Sequence, residues 1–244
     1  LMMGTIQDIT EKKRWEEDAQ QVQKLEAIGV LAGGIAHDFN NLLTAVFGNI
    51  ALAKRTVGAQ HPVYQRLLDS EAAMEKAQSL TRQLITFSES NTPIRKTCAI
   101  ADVVRNAVLS VVQGTSIQCS FHIPGDLQPV SIDKRQINQV IRNLTVNAVQ
   151  AMPNGGSIGI KLETITVNGK SNVSLWPGDY LRISIEDNGC GIRAEHLPKI
   201  FNPYFTTQDN VTQKGLGLGL AICYAIVKQH QGHIDVESKW GQGT

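Results

Sequence analysis

From Glu11 to Arg55 the chain runs without a proline, and its few glycines do not break a helical rhythm. Leu25, Ile28, Ala32, Ile35, Phe39, Leu42, Val46, Ile50 and Ala53 recur at steps of three and four. That stagger is the seam of a coiled coil or helical bundle. A loop with Gly58 and Pro62 follows, and Ala73, Ala77, Leu80, Leu84 and Phe87 repeat the stagger in a second helix reaching about Ser88. Two amphipathic helices in a hairpin form a unit too thin to hide its seam alone. The pattern therefore predicts a homodimer closed as a four-helix bundle.

After Asn91-Thr92-Pro93 the pattern changes, and a linker is expected at 92–97. A helix over 102–112 precedes a β-rich stretch, Ile117 to Ile123; Asp133 is placed to N-cap a helix reaching Met152. Strands are expected over Ser157–Thr166, Tyr180–Glu186 and His233–Ser238, with a helix from Leu216 to about His230. Alternating helices and strands with long hairpin strands predict an α/β sandwich, a mixed sheet with helices packed on one face. The opening residues, with a β-like stretch at Thr5 to Ile9, are expected to be the end of an upstream domain. The division predicted is thus 1–18, then 19–91 for the helical hairpin, the linker at 92–97, and 98–244 for the sandwich.

The 244 residues, 42% hydrophobic and 18% charged, can bury a proper core. A formal net charge of +1 supplies no global field for nucleic acid or anionic lipid, so nucleic acid is not an expected partner. A phosphorylated small ligand needs only a local site. No apolar run approaches the roughly 18 residues of a spanning helix and no cleavable leader is visible, which makes a cytoplasmic piece of a longer protein the expectation. Cys98, Cys119, Cys190 and Cys223 lie far apart and read as reduced structural thiols. His230 and His233 form an HxxH that alone makes no metal site.

Three places carry chemistry. His37 stands two residues from both Ile35 and Phe39, and two residues advance a helix by about 200°, so the ring is expected to face solvent, away from the seam. A solitary exposed histidine is ordinarily just surface. Here Asp38 follows at once and Asn41 shares the face four residues on. A mostly neutral imidazole is a competent nucleophile, and an adjacent carboxylate can hold the other ring N–H and stabilise positive charge during attack. Gly33-Gly34 upstream allows either close approach of a docking domain or a plain packing notch.

On the 133–152 helix, Gln139, Asn143 and Asn147 recur at four-residue steps, either as a solvated surface or as amide ligands for Mg²⁺ and phosphate oxygens. Asp187-Asn188-Gly189-Cys190-Gly191 follows a strand. It is either a tight turn or a strand-end carboxylate placed to accept a hydrogen bond from an exocyclic amine such as that of adenine, with glycines admitting the flat base. Lys214-Gly215-Leu216-Gly217-Leu218-Gly219-Leu220 opens a helix whose exposed N–H groups and dipole suit an anion. Between Phe201 and Gly215 a long polar segment, 202–214, has the character of a lid, with Phe201 and Phe205 either pinning it or packing in the core.

In this order the segments resemble the transmitter core of a sensor histidine kinase of a two-component system. HDFNN resembles the H box, QVIRNLTVNAVQAM the N box, DNGCGI the G1 box, FNPYFTT the F box, GLGLGL the G2 box and GQGT the start of the last glycine motif. The likeness runs from Leu25 to Thr244, and GTIQDITEKK is similar to the exit of a PAS sensor domain.

The resemblance implies a GHKL-type ATP-binding fold, ATP and Mg²⁺ as ligands, a homodimer, and a response-regulator receiver domain as partner. It implies His37 as phosphoacceptor, Asp38 as its acid/base partner and Asn41 as the residue orienting water in dephosphorylation of the receiver. Asn143 and Asn147 would bind Mg²⁺ and phosphates, and Asp187 the adenine amino group with Gly189 and Gly191 around it. Lys214, Gly215, Leu216, Gly217, Leu218 and Gly219 would line the phosphates, with Phe201, Phe205 and Thr244 completing the nucleotide set. Val149, Gln150, Gln208 and Leu216 stand where relatives often carry Arg or Lys, Lys, and Thr, and each removes a polar or positive phosphate contact.

Two other readings compete. A hydrolytic ATPase of the gyrase, Hsp90 or MutL type needs a water-activating carboxylate where Asn143 stands. An ATP-binding dimeric pseudokinase scaffold would lack phosphotransfer, which the intact His37, Asn147 and Asp187 oppose.

Overall fold

The computed structural model describes residues 10–88, 93–168, 175–207 and 217–244. The chain divides into two compact units, Gln23–Asn91 and a second made of Thr92–Thr244 with Leu1–Val22.

Helix α1, Thr10–Val57, is continuous, as its proline-free sequence requires. Gly58 stops it with φ +70° and an N–H donated to the Lys54 carbonyl at 3.2 Å. Helix α2, Tyr64–Ser88, follows. Lys54 pairs with Glu71 and lies 5.8 Å from the Tyr64 ring centre, which ties the hairpin together near its loop. The stripe Ile35, Phe39, Leu42 and Val46 is not covered within one chain: each is about half exposed or more, at 53%, 55%, 65% and 49%. Ala36, one position round the helix, is buried. The β-like stretch expected at Thr5 to Ile9 lies outside the described residues.

The second unit begins with β1, Lys96–Cys98, which pairs antiparallel with β3, Val130–Ile132. Residues 96 and 97, expected in the linker, are therefore held in a sheet. Strand β2, Ile117–His122, runs parallel to β4, Gly156–Val167, which runs antiparallel to β5, Gly178–Asp187. This three-stranded sheet is mixed, as the long hairpin predicted. Helices α3, Ile100–Val112, and α4, Lys134–Gln150, pack on one face of it. Val104 and Val108 from α3, Ile141 from α4 and Ile158, Ile160 and Leu162 from β4 form the centre of the core. Each such side chain contributes about 1.5–3 kcal/mol on burial. Helix α5, Gly219–Gln229, packs against α4 with Ala221 to Ile226 buried.

Asp133 caps α4: its Oδ1 accepts the N–H groups of Arg135 at 3.0 Å and Gln136 at 3.4 Å. The helix stops at Gln150 and not at Met152, because Ala151 is its C-cap.

The strand expected over His233–Ser238 is not formed; among the described residues this stretch carries only the neighbouring Lys239–Gly243 bridge. Burial alternates there as in a strand, but the stretch forms no ladder, and the hydrogen bonds given for it involve side chains. Val236 N–H donates to Asp235 Oδ1, and Ser238 Oγ accepts the Ile192 N–H while donating to the Gly243 carbonyl. No helix of the described residues is long and apolar enough to cross a membrane.

Candidate nucleotide-binding site

The sheet register decides where the strand-end carboxylate goes. Asp187 is the register partner of Ile158, whose side chain is fully buried under the helices, so Asp187 shares the helix-covered face. Its carboxylate is half-buried, with Oδ1 accepting the Gly189 N–H at 2.8 Å. Burial raises its pKa above the usual aspartate range, and neighbouring Glu186 adds to that, while the Gly189 and Thr244 N–H groups oppose the rise. A partly desolvated carboxylate at a strand end is a group that gains from a donor.

The turn after β5 is moulded to the end of α4. A Cβ at Gly189 would stand 2.7 Å from the Ala151 Cβ and 2.8 Å from Asp187 Oδ1, so only glycine fits. Cys190 N–H donates to the Ala151 carbonyl at 3.2 Å. Gly191, at φ +68°, lies against the Lys239 carbonyl. Thr244 pairs with Asp187 through the backbone in both directions, at 2.8 and 3.3 Å. Ala151 and Ser238 were not singled out by sequence; Ser238 Oγ reaches Ile192, Gly243 and Thr244 Oγ1 together, and its place just ahead of a glycine turn was the available signal.

Two turns back along α4, Asn143 is half-buried and donates its amide Nδ2 to the Gly219 carbonyl at 3.2 Å. This bond joins α4 to the start of α5. The N-cap of α5 is Leu218, whose side chain makes no cap hydrogen bond, and the positive end of that helix dipole suits an anion. Gly217 precedes it at φ +64°, and a Cβ there would meet the Phe205 carbonyl at 2.6 Å, so the F-box backbone abuts the glycine run.

Phe201 packs on Tyr224 of α5 at 5.6 Å, and Phe205 on His196 at 5.5 Å. Tyr204 between them is exposed at φ +64°. Asn147 and Gln150 are exposed, whereas Val149 is partly buried against the core. Gln208, Lys214, Gly215 and Leu216 lie outside the described residues.

The structure thus gathers Asn143 with Gly219, Asp187 with Gly189 and Thr244, and Gly217 with Phe205, all in the second unit. His37, Asp38 and Asn41 belong to the first unit, on α1. Asp38 and Asn41 are exposed; the outward orientation expected of the His37 ring lies outside the side chains described. An open groove of about 330 Å³ also exists, lined by Ser120, His122, Lys161, Glu163 and Arg182 among others. It lies on the sheet face turned away from α3 and α4 and includes neither Asp187 nor Asn143.

Residues 132–244 match the histidine kinase-, DNA gyrase B-, and HSP90-like ATPase family. Sensor kinase CckA of Brucella abortus is 38% identical over 242 residues, covering 97% of this chain and 25% of that protein. Signal transduction histidine-protein kinase AtoS of Escherichia coli is 31% identical, over 100% of this chain and 38% of its own length. The chain therefore spans well under half the length of these curated relatives. Among solved structures, full-length ShkA in complex with AMPPNP shares the fold at TM-score 0.68 and 20% identity, over 87% of this chain and 43% of that one. Histidine kinase ThkA in complex with the response regulator TrrA aligns at TM-score 0.53 and 22% identity, over 93% and 63% of the two chains. The chain belongs to the sensor histidine kinases, as a transmitter core whose second unit is the ATP-binding domain they share with DNA gyrase B and HSP90.

Proposed function

We propose that this transmitter core phosphorylates itself on His37 from ATP and passes the phosphoryl group to an aspartate of a response-regulator receiver domain. The observation that carries the ATP half is the junction of Asn143 with Gly219, which sets an amide-bearing helix against an uncapped helix N-terminus. The relatives' names support the kinase half.

In this reading the Asp187 carboxylate accepts the adenine amino group, which offsets the cost of its partial burial. The α5 N-terminus and Gly215, Gly217 and Gly219 receive phosphate oxygens, with Leu216 and Leu218 between them, Lys214 adding positive charge, and Phe201, Phe205 and Thr244 at the borders. With its Nδ2 committed to Gly219, the Asn143 oxygen is the atom suited to a hard cation, and Asn147 is exposed one turn on. The residues fit Mg²⁺, which when bound neutralises phosphate charge. Asp38 holds the His37 imidazole in the tautomer whose lone pair attacks the γ-phosphorus in line; the bond to the bridging oxygen breaks and ADP leaves. Asn41 orients the water that dephosphorylates the receiver.

The uncovered stripe Ile35, Phe39, Leu42 and Val46 supports pairing with a second copy as a four-helix bundle. Residues 19–91 are assigned to phosphoacceptance and dimerisation, 98–244 to ATP binding and 1–18 to the end of an upstream sensor domain, the whole acting in the cytoplasm without nucleic acid. Incubation with γ-labelled ATP is the test. Base-stable, acid-labile label lost in His37→Gln is expected, whereas free phosphate without labelled protein would establish the ATPase alternative.

A further inference from the structure

The hydroxyl of Ser238 meets three partners at the edge of the candidate nucleotide site. It accepts the Ile192 N–H at 2.8 Å and donates to the Gly243 carbonyl at 2.8 Å, and Thr244 Oγ1 lies 2.9 Å away. A hydroxyl carries a single hydrogen. The Gly243 carbonyl can only accept, so the Ser238 hydrogen is spent there and the contact with Thr244 is donated by Thr244. This fixes the direction of the Thr244 hydroxyl: its hydrogen points at Ser238, and only lone pairs are left for anything else.

Asp187 and Thr244 exchange both main-chain hydrogen bonds, at 2.8 and 3.3 Å. That reciprocal exchange is the mark of antiparallel pairing, in which opposed residues carry their side chains on the same face with Cβ atoms about 5 Å apart. Thr244 Oγ1 therefore stands beside the Asp187 carboxylate. Gly243, at φ +108° and with no room for a Cβ against the Asp187 carbonyl, keeps the two backbones this close. An ionised carboxylate accepts and never donates. A threonine free to rotate next to it would offer a hydrogen as readily as a lone pair; the one locked by Ser238 offers lone pairs alone.

We propose that Ser238 is a positioning residue for base selection: by taking the Thr244 hydrogen it keeps Thr244 an acceptor beside Asp187, so that the pair favours a purine bearing an amino group there and rejects one bearing a carbonyl. The proposal rests on the ATP-binding reading above. An amino group brings donors to two acceptors. A carbonyl oxygen meets them lone pair to lone pair, and polar groups desolvated without a partner are the costly case.

The test is titration calorimetry on the whole chain with the imido analogues of ATP and of inosine triphosphate, which place an amino group and a carbonyl at the same ring carbon. Ser238→Ala frees the Thr244 hydroxyl to turn. The preference for the ATP analogue should shrink about three- to tenfold, the range of one hydrogen bond. On a Thr244→Val background, which lacks the hydroxyl that Ser238 acts through, Ser238→Ala should change the preference no further. Thr244→Val alone, with the Ser238 bonds to Ile192 and Gly243 kept, should shrink the preference by a similar factor, and it carries the test if Ser238→Ala does not melt cooperatively. Equal loss of affinity for both analogues, an unchanged preference, or an effect of Ser238→Ala that persists on the Thr244→Val background overturns the proposal. So does a wild-type chain that binds the two analogues alike. A wild-type chain that binds neither overturns the ATP-binding reading itself.

Discussion

The helix pair and the α/β unit solve the burial problem in opposite ways. Behind α3 and α4 the second unit encloses Val104, Val108, Ile141, Ile158, Ile160 and Leu162 within one chain. On α1, Ile35, Phe39, Leu42 and Val46 stay in solvent. Hydrophobic driving force scales with apolar area removed from water, so the second unit is stable by its own packing while the helix pair is left with surface to cover. Stability here is therefore local in one unit and, on the proposed reading, concentration-dependent in the other.

That contrast can be broken by experiment. The largest effect is expected from His37→Gln, which should abolish labelled phosphoprotein without altering the melting of either unit, as measured by calorimetry. Leu162→Ala should destabilise the second unit by about 2–5 kcal/mol through its cavity, lowering one calorimetric transition and sparing the other. If both fall together, the two units are not independent. Asp187→Asn should weaken ATP binding about 10- to 100-fold by titration calorimetry, the range for a hydrogen bond to a charged group. A double change, Phe39→Ser with Leu42→Ser, should shift the sedimentation mass from dimer to monomer and leave the second unit's melting unchanged.

The smallest effect is a pH dependence. Burial pushes the His230 pKa below its ordinary value and the Arg95 guanidinium adds to this, against the Ile226 hydrogen bond and the Asp133 carboxylate. Arg135 also reaches Asp133 from α4, at 3.7 Å. Because the unfolded histidine binds its proton first, the stability from neutral His230 is full above about pH 6.5 and is lost as pH falls toward the depressed folded value. The second unit's melting temperature should decline over that window, and His230→Gln should flatten the decline.

Both long helices were legible because proline absence and a three-four stagger are local properties. The Asp133 cap was legible for the same reason. The two-stranded β1–β3 ladder was not: three residues a side carry no period, and only the pairing across 30-odd positions defines them. His233–Ser238 misled in the reverse sense, since alternation reports which side chains are covered and says nothing of where the backbone bonds go. In the site, the glycines and Asp187 announced themselves by composition. Ala151 did not, because its contribution is a carbonyl and a close wall, which any small residue could supply on paper.

At about 1.5 Å per residue the 48 residues of α1 form a rod of about 72 Å. Such a rod keeps phase. One residue inserted into α1 between Gln23 and His37 would turn Gln23 by about 100° relative to His37, whereas seven would return it to within about 20°. Fusions made at this helix should therefore alternate between active and silent with the count of residues at the joint, a periodicity that a flexible connection would erase.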